Sequence, residues 1–105
     1  MKFSKYNLTP EIYRRLEQSD FKKPTDIQYR SIPQILSGQD ILAIAQTGTG
    51  KTAAFAIPLL HMLQTRQAAF EDGQVKAVVM VPTRELAIQI KGVFDDLGKF
   101  TGIQT

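Results

Sequence analysis

The spacing of apolar and polar residues predicts a short amphipathic helix near the start of the chain. Ile12 and Leu16 lie one helical turn apart, and Thr9 and Pro10 precede them. Threonine suits a helix cap and proline suits the first helical position, so we expect a helix over about 10–18.

A second helix is predicted to begin at Thr25. Thr25 and Gln28 have the spacing of a capping box, in which the hydroxyl accepts from a backbone N–H and the amide reaches back to the cap. Pro33 is expected to kink the helix and Gly38 to end it. Its apolar side consists of Ile27, Ile32, Ile35 and Leu36.

Two apolar runs, about 41–45 and 77–81, predict strands, and 103–105 resembles the entry to a third. Unbroken apolar runs are typical of parallel strands buried on both faces. Helical periodicity predicts helices over about 51–66 and 83–97. This order predicts an α/β fold, with a parallel sheet flanked by helices that is incomplete in this chain and binds ligands at the carboxyl ends of its strands.

Composition limits the protein to one modest core. The chain has 105 residues, 43% of them hydrophobic, and no cysteine, so nothing suggests disulfides or a thiolate metal site.

The start of the chain lacks the apolar core of a signal peptide, and no apolar run approaches the ~20 residues of a membrane span. We therefore expect a soluble, cytoplasmic protein without a membrane partner. The net charge of +3 comes entirely from the first 52 residues, which suits anionic ligands.

The sequence AQTGTGKT, residues 45–52, lies between the first predicted strand and a predicted helix. Gly48 and Gly50 allow the tight turn and close approach by which a loop surrounds phosphates. Lys51 would supply a positive charge to the outer phosphates and Thr52 a hydroxyl to Mg²⁺. The general pattern requires glycine at position 45, where alanine stands as the next smallest residue. The alternative is an ordinary turn with a solvated lysine.

Three segments together resemble the DEAD-box family of ATP-dependent RNA helicases. Residues 21–28 resemble its Q motif, with Phe3 about where the family has an upstream aromatic residue; residues 45–52 match its motif I letter for letter, and residues 82–87 resemble motif Ia. Asp20 stands where the family usually has glycine. The chain ends before the positions of D-E-A-D, S-A-T and the second RecA-like domain.

This resemblance implies a P-loop NTPase with a RecA-like fold that uses ATP and Mg²⁺. Gln28 would contact the adenine edge, Phe21 would pack against the ring and Thr25 would support the loop. The phosphates would be bound by Gln46, Thr47, Gly48, Thr49, Gly50, Lys51 and Thr52, of which Lys51 and Thr52 would act in catalysis and Thr52 would reach Mg²⁺ through the nucleotide. For Thr25 and Gln28, a plain capping box is an equally strong interpretation and compatible with the first.

The resemblance also implies that Pro82, Thr83 and Arg84 contact RNA phosphates without reading base sequence. A helix cap with an exposed arginine is the alternative. Lys22 and Lys23 could attract phosphate, although a solvated pair of charges is the preferred interpretation.

Two further candidates favour structural interpretations. His61 lies within a predicted helix without a partner at ligand spacing. Asp95 and Asp96 keep the helical period of the last helix, which indicates a solvated acidic face in preference to a Mg²⁺ site.

The sequence therefore predicts the N-terminal part of the first RecA-like domain of an RNA helicase, with N-terminal helices and the Q motif in 1–40 and the ATP-binding part in 41–105. The parent protein would be an enzyme, whereas this chain alone is expected to be inactive and to self-associate. The alternatives are an adenine-nucleotide-binding module without turnover and an unrelated P-loop kinase or GTPase.

Overall fold

The computed structural model describes residues 3–19, 23–44, 50–66 and 73–105. The regular elements described are a 3₁₀ turn over Phe3–Tyr6 and the helices α1 (Pro10–Gln18), α2 (Asp26–Leu36), α3 (Lys51–Thr65) and α4 (Arg84–Leu97). Each predicted helix is therefore confirmed to within two residues at its ends. None of the helices in these ranges has the length and apolar character that a membrane span requires.

Helix α1 begins at Pro10, as predicted, but Thr9 does not cap it with its side chain. The Thr9 hydroxyl instead donates to Oε1 of Gln64 in α3, at 2.6 Å. The Thr9 hydroxyl therefore bonds to a residue distant in sequence and not to the backbone of α1. This contact joins the N-terminal segment to α3.

Helix α2 is opened by the predicted capping box. The Thr25 hydroxyl accepts from the Gln28 backbone N–H at 3.4 Å, and Oε1 of Gln28 accepts from the Thr25 backbone N–H at 3.0 Å. Pro33 lies inside the helix, and Ser37 caps its end. Gly38 follows with φ of 84°, a left-handed conformation that glycine adopts without strain.

The four helices share one core. Helix α3 packs against α1, α2 and α4, and α1 also contacts α4. The buried apolar side chains are Phe3, Leu8, Ile12, Leu16, Ile32, Ala53, Ala56, Ile57, Leu60, Phe94 and Leu97. At the rim of this core, the Arg15 guanidinium binds the Asp96 carboxylate at 2.5 Å and donates to the Asp96 carbonyl at 3.1 Å. Helix α1 thereby holds the C-terminal end of α4.

The predicted strands are not formed among the described residues. Residues 41–44, 74–81 and 103–105 have no strand pairing there. The expectation that 77–81 is buried on both faces is wrong, since Val78 and Met80 are 75% and 89% exposed. A buried parallel strand needs a neighbouring strand and helices on both faces, and the described part of the chain does not supply them. The parallel sheet therefore remains a prediction.

Candidate nucleotide-binding site

The first turn of α3 holds the three predicted phosphate-site residues that the structure describes. Gly50 is the residue before the helix and has φ 80° and ψ 29°, while Lys51 is exposed and Thr52 is half-buried. The first N–H groups of a helix lack acceptors within the helix, and its dipole is positive at this end. No acidic residue lies in this first turn. The helix start therefore suits an anion.

The amide of Gln28 lies directly against this helix start. Its Nε2 donates to the Gly50 carbonyl at 3.2 Å, across 22 residues of sequence. Its Oε1 accepts from the Thr25 N–H, as described for the capping box. These two contacts fix which end of the amide is oxygen and which is nitrogen, so the side chain has one defined orientation.

Glycine is required at position 50 for two reasons. Its positive φ is unfavourable for other residues. A Cβ added there would lie 2.5 Å from Nε2 of Gln28 and 3.3 Å from the Thr25 hydroxyl. The close approach of α2 to Gly50 therefore depends on the absence of a side chain at that position.

The predicted RNA-contacting residues lie at the start of α4 and are all exposed. The Thr83 hydroxyl accepts from the Leu86 N–H at 3.2 Å, so the cap interpretation of Thr83 is confirmed. Arg84 is the first helical residue and Pro82 precedes the cap. A helix N-terminus with an adjacent guanidinium can also bind a phosphate, so the cap is compatible with the RNA contact, which remains a prediction.

Several predicted site residues lie outside the described residues, and their roles remain predictions. These are Phe21 of the Q motif and Gln46, Thr47, Gly48 and Thr49 of motif I, together with Lys22.

The two aspartates of α4, Asp95 and Asp96, both make side-chain contacts. Asp95 accepts hydrogen bonds from Lys91 and Thr105, which hold the pKa of its carboxyl below the usual value, and Asp96 pairs with Arg15. Within the described residues, no group of three or more acidic or histidine side chains could hold a metal. Both aspartates are exposed, so the pair forms part of the surface of α4.

His61 is half-buried in α3, and its Nδ1 is buried without a hydrogen-bond partner among the residues that the structure describes. Burial lowers the pKa of its imidazole because the charged form is less solvated there. The structural interpretation of His61 thus fits its surroundings.

The contact between Gln28 and Gly50 was missed by sequence reasoning. The capping box and the glycine-containing loop are each visible in the sequence, but nothing in it indicates that Gln28 and Gly50, 22 positions apart, are in contact. The same applies to Arg15 and Asp96, which are 81 residues apart.

Comparison with known proteins identifies the family. A family model described as DEAD/DEAH box helicase matches residues 25–105. Proteins named ATP-dependent rRNA helicase RRP3 are 50% identical over 98% of this chain in Candida glabrata and 47% identical over 98% in Saccharomyces cerevisiae. The chain spans 20% of the length of each of these two relatives.

Solved structures agree with this result. A DEAD box protein from the hyperthermophile Methanococcus jannaschii matches 92% of this chain and 25% of its own, with a TM-score of 0.81 and 41% identity. Saccharomyces cerevisiae Dbp5, solved with Gle1 and IP6, matches 97% of this chain and 25% of its own, with a TM-score of 0.85 and 36% identity. The described helices therefore follow the P-loop, RecA-like fold class of these proteins, and the chain belongs to the DEAD/DEAH box helicase family.

Proposed function

We propose that this chain is the first part of the ATP-binding domain of an RNA helicase, in which ATP binding and hydrolysis drive local strand separation. The observation that carries the proposal is the hydrogen bond between the Q-motif amide of Gln28 and the Gly50 carbonyl. This hydrogen bond joins an amide that can pair with a base to the residue before a helix N-terminus that can bind phosphates.

The Gln28 amide suits adenine because it has hydrogen-bonding capacity left at both ends. An amide oxygen has two lone pairs and an amide nitrogen two N–H groups, and Thr25 and Gly50 use one of each. The remaining lone pair and N–H match the amino group and ring nitrogen of the adenine edge. Gln28 is only 1% exposed, so the groups that cover it must move when the base binds.

The phosphates would be bound by the first turn of α3 together with Gln46, Thr47, Gly48 and Thr49. Lys51 would act as a point charge on the outer phosphates, and the Thr52 hydroxyl fits a ligand of Mg²⁺. Bound Mg²⁺ would neutralise charge on the transferring phosphoryl group. The described residues offer no carboxylate cluster to complete the metal site, so we propose that this chain alone binds nucleotide without turnover.

RNA would bind at the start of α4 through its backbone phosphates, with Pro82, Thr83 and Arg84 as contacts. Phosphate contacts position a nucleic acid without reading its sequence. The relatives are named rRNA helicases, so rRNA is the first substrate to test with a longer chain. A cytoplasmic location and the division into 1–40 and 41–105 belong to this proposal as well.

We also propose that the isolated chain self-associates through exposed apolar residues in the segments 41–44 and 74–81. Leu42, Ile44, Val78 and Met80 are each at least 75% exposed, and exposed apolar patches promote association.

The nucleotide site is tested by calorimetric titration of the chain with ATP and with GTP. The expected result is at least a roughly tenfold preference for ATP, because guanine presents mismatched groups to an oriented amide. Lys51→Ala should lose at least tenfold in ATP affinity, whereas Lys99→Ala removes the same charge from an exposed turn and should bind as the unaltered chain does. Equal affinities for ATP and GTP would contradict the proposed contact between Gln28 and adenine.

A further inference from the structure

We propose that Arg15 is a positioning residue for RNA, which acts by holding the C-terminal end of α4 so that the opposite end, with Thr83 and Arg84, is correctly placed. The inference rests on the proposed RNA contact at the start of α4. Arg15 would then control RNA affinity without touching the RNA.

Helix α4 is most closely packed at its C-terminal end. Phe94 and Leu97 in its last turn are buried, whereas residues 84–93 are exposed or half-buried. On the inner side of this first part, Ala87 and Ile90 line a cavity. The close contacts that orient α4 are therefore concentrated at the end opposite to the proposed RNA contact.

Arg15 holds this end of α4 by three hydrogen bonds. Its Nε donates to the Asp96 carbonyl and to Oδ1 of Asp96, both at 3.1 Å, and its Nη2 donates to the same Oδ1 at 2.5 Å. A positive charge is favourable near a helix C-terminus, because the helix dipole is negative there. Since the guanidinium is planar and bonds to a backbone group and a side-chain group, it limits both the position and the rotation of the helix end.

The contact between Arg15 and Asp96 is more protected than an ordinary surface ion pair. The side chains of Arg15 and Asp96 are 18% and 46% exposed, whereas those of Arg30 and Asp26 in α2 are 74% and 79% exposed. Exposed pairs of the second kind contribute little to stability because water screens them. The pair in α2 is therefore a suitable control for the pair that joins α1 to α4.

Helix α1 can serve as the anchor because it is itself fixed to the core. Its residues Ile12 and Leu16 are 0% and 4% exposed. The neighbouring Arg14 stacks on the ring of Phe100, in the turn after α4, at 4.1 Å from the ring centre. Two successive arginines of α1 therefore bind the end of α4 and the turn that follows it.

A small movement of the anchored end becomes a larger one at the start of α4. The helix has 14 residues and is therefore about 20 Å long. A rotation of about 10° at its C-terminal end would move its start by roughly 3–4 Å, which is more than a hydrogen bond to a phosphate tolerates. Without Arg15, the start of α4 would occupy a wider range of positions, and RNA affinity should fall.

The test measures binding of the 105-residue chain to a labelled single-stranded oligouridylate by fluorescence anisotropy. In Arg15→Met, which removes the hydrogen bonds to Asp96, we expect a loss of about three- to tenfold in affinity, the range for one hydrogen bond, here that of Arg84 to a phosphate. Arg15→Lys keeps a charge that can pair with Asp96 and should recover part of the loss. Arg30→Met removes the same charge from α2 and should bind nearly as tightly as the unaltered chain.

Asp96→Ala changes the charge in the opposite direction and separates positioning from general electrostatics. Removal of a carboxylate strengthens RNA binding if only the net charge matters, and Asp26→Ala on α2 should show this effect. The proposal expects Asp96→Ala to bind the oligouridylate more weakly than Asp26→Ala, because Arg15 loses its side-chain partner.

A double-mutant cycle with Arg84→Ala shows whether Arg15 acts through the start of α4. If it does, Arg15→Met should lose less affinity in the Arg84→Ala chain than in the unaltered one, since the contact that Arg15 positions is already lost. Thermal unfolding followed by circular dichroism checks that each variant is folded at the temperature of the titration.

Two results would overturn the inference and leave the RNA contact intact. In the first, Arg15→Met binds like Arg30→Met; in the second, it loses the same affinity with and without Arg84. If the unaltered chain binds no oligouridylate, or if Arg84→Ala binds it as tightly as the unaltered chain does, the proposed RNA contact fails and the inference fails with it.

Discussion

At the scale of single residues, Thr25 and Gln28 combine a structural and a proposed ligand-binding role. Their capping box uses one hydrogen-bonding position at the amide oxygen of Gln28, and Gly50 uses one at the nitrogen. Because an amide offers two positions at each end, capping does not exclude contact with a base. The two interpretations that the sequence left open are therefore compatible in the folded chain.

His61 should make the stability of the chain depend on pH. Its pKa in the folded state is lowered from 6.5 by burial, so the unfolded state binds a proton more readily. The associated stability is fully present above pH 6.5 and is lost as pH falls through the lowered pKa of the folded state. We expect urea unfolding to show a lower stability at pH 5.5 than at pH 7.5.

The variant His61→Leu isolates this effect, since His61 is the only histidine in the chain and most carboxyl groups titrate at lower pH. Between pH 7.5 and 5.5, the variant should lose less stability than the unaltered chain. Identical pH dependence in the two proteins would show that the buried Nδ1 does not disfavour protonation.

At the scale of elements, two glycines occupy opposite environments, Gly92 inside α4 and Gly98 directly after its last residue. A Cβ at Gly98 would lie 2.9 Å from the Phe94 carbonyl oxygen and 3.1 Å from a Leu60 methyl group, whereas a Cβ at Gly92 would meet nothing within 4 Å. We expect Gly98→Ala to lower the free energy of unfolding by about 1–3 kcal/mol through overpacking. Thermal unfolding followed by circular dichroism measures the change.

Gly92→Ala is the matched change, and it should raise the free energy of unfolding by about 0.5–1 kcal/mol, because alanine is the better helix former at an exposed position. Equal changes of stability in the two variants would mean that the space around the added Cβ does not decide the difference between the two positions.

The helices themselves illustrate what local sequence decides. Helix α4 ends as its periodicity predicts, with the Gly98 N–H donating to the Phe94 carbonyl at 2.8 Å. Helix α1 is placed correctly, but its Thr9 hydroxyl bonds to Gln64 and leaves the helix uncapped by that side chain. Local patterns fixed the position of each helix, whereas tertiary contacts chose the partners of its polar side chains.

At the scale of the whole molecule, a cavity of about 830 Å³ lies between α3, α4 and the segment 74–81. Within residues 77–81, Ala77, Val79 and Val81 line it, while Val78 and Met80 do not and are 75% and 89% exposed. This alternation is that of an extended chain with two apolar faces, although no strand pairing is formed there. The uncovered apolar residues should promote association between copies.

We therefore expect sedimentation velocity of the purified chain to show mass increasing with concentration in the micromolar range. Met80→Lys places a charge on the exposed face and should shift the chain toward monomer. Ile88→Lys adds the same charge on the outer side of α4, where Ile88 is 63% exposed, and should leave association unchanged. A compact monomer at high micromolar concentration, or equal effects of both variants, would contradict this expectation.

In the predicted site, as in the fold, the sequence predicted the features that depend on neighbouring residues and not those that depend on distant ones. The sequence of residues 45–52 and the capping-box spacing were sufficient to predict the start of α3 and the start of α2, because both depend on neighbouring residues. The strands at 41–45 and 77–81 could not be settled in this way, since a parallel strand is stabilised by partners distant in sequence.

By itself, the sequence determined the four helices, the capping box of Thr25 and Gln28 and the family of the chain. These features follow from short-range hydrogen bonds, apolar periodicity and the order of motifs, all of which can be seen in the sequence. Only the tertiary structure decided that the Gln28 amide meets the Gly50 carbonyl, that Arg15 binds Asp96 and that residues 77–80 are exposed. These features depend on which surfaces the packed helices bring together or leave uncovered, and sequence spacing carries no information about such contacts.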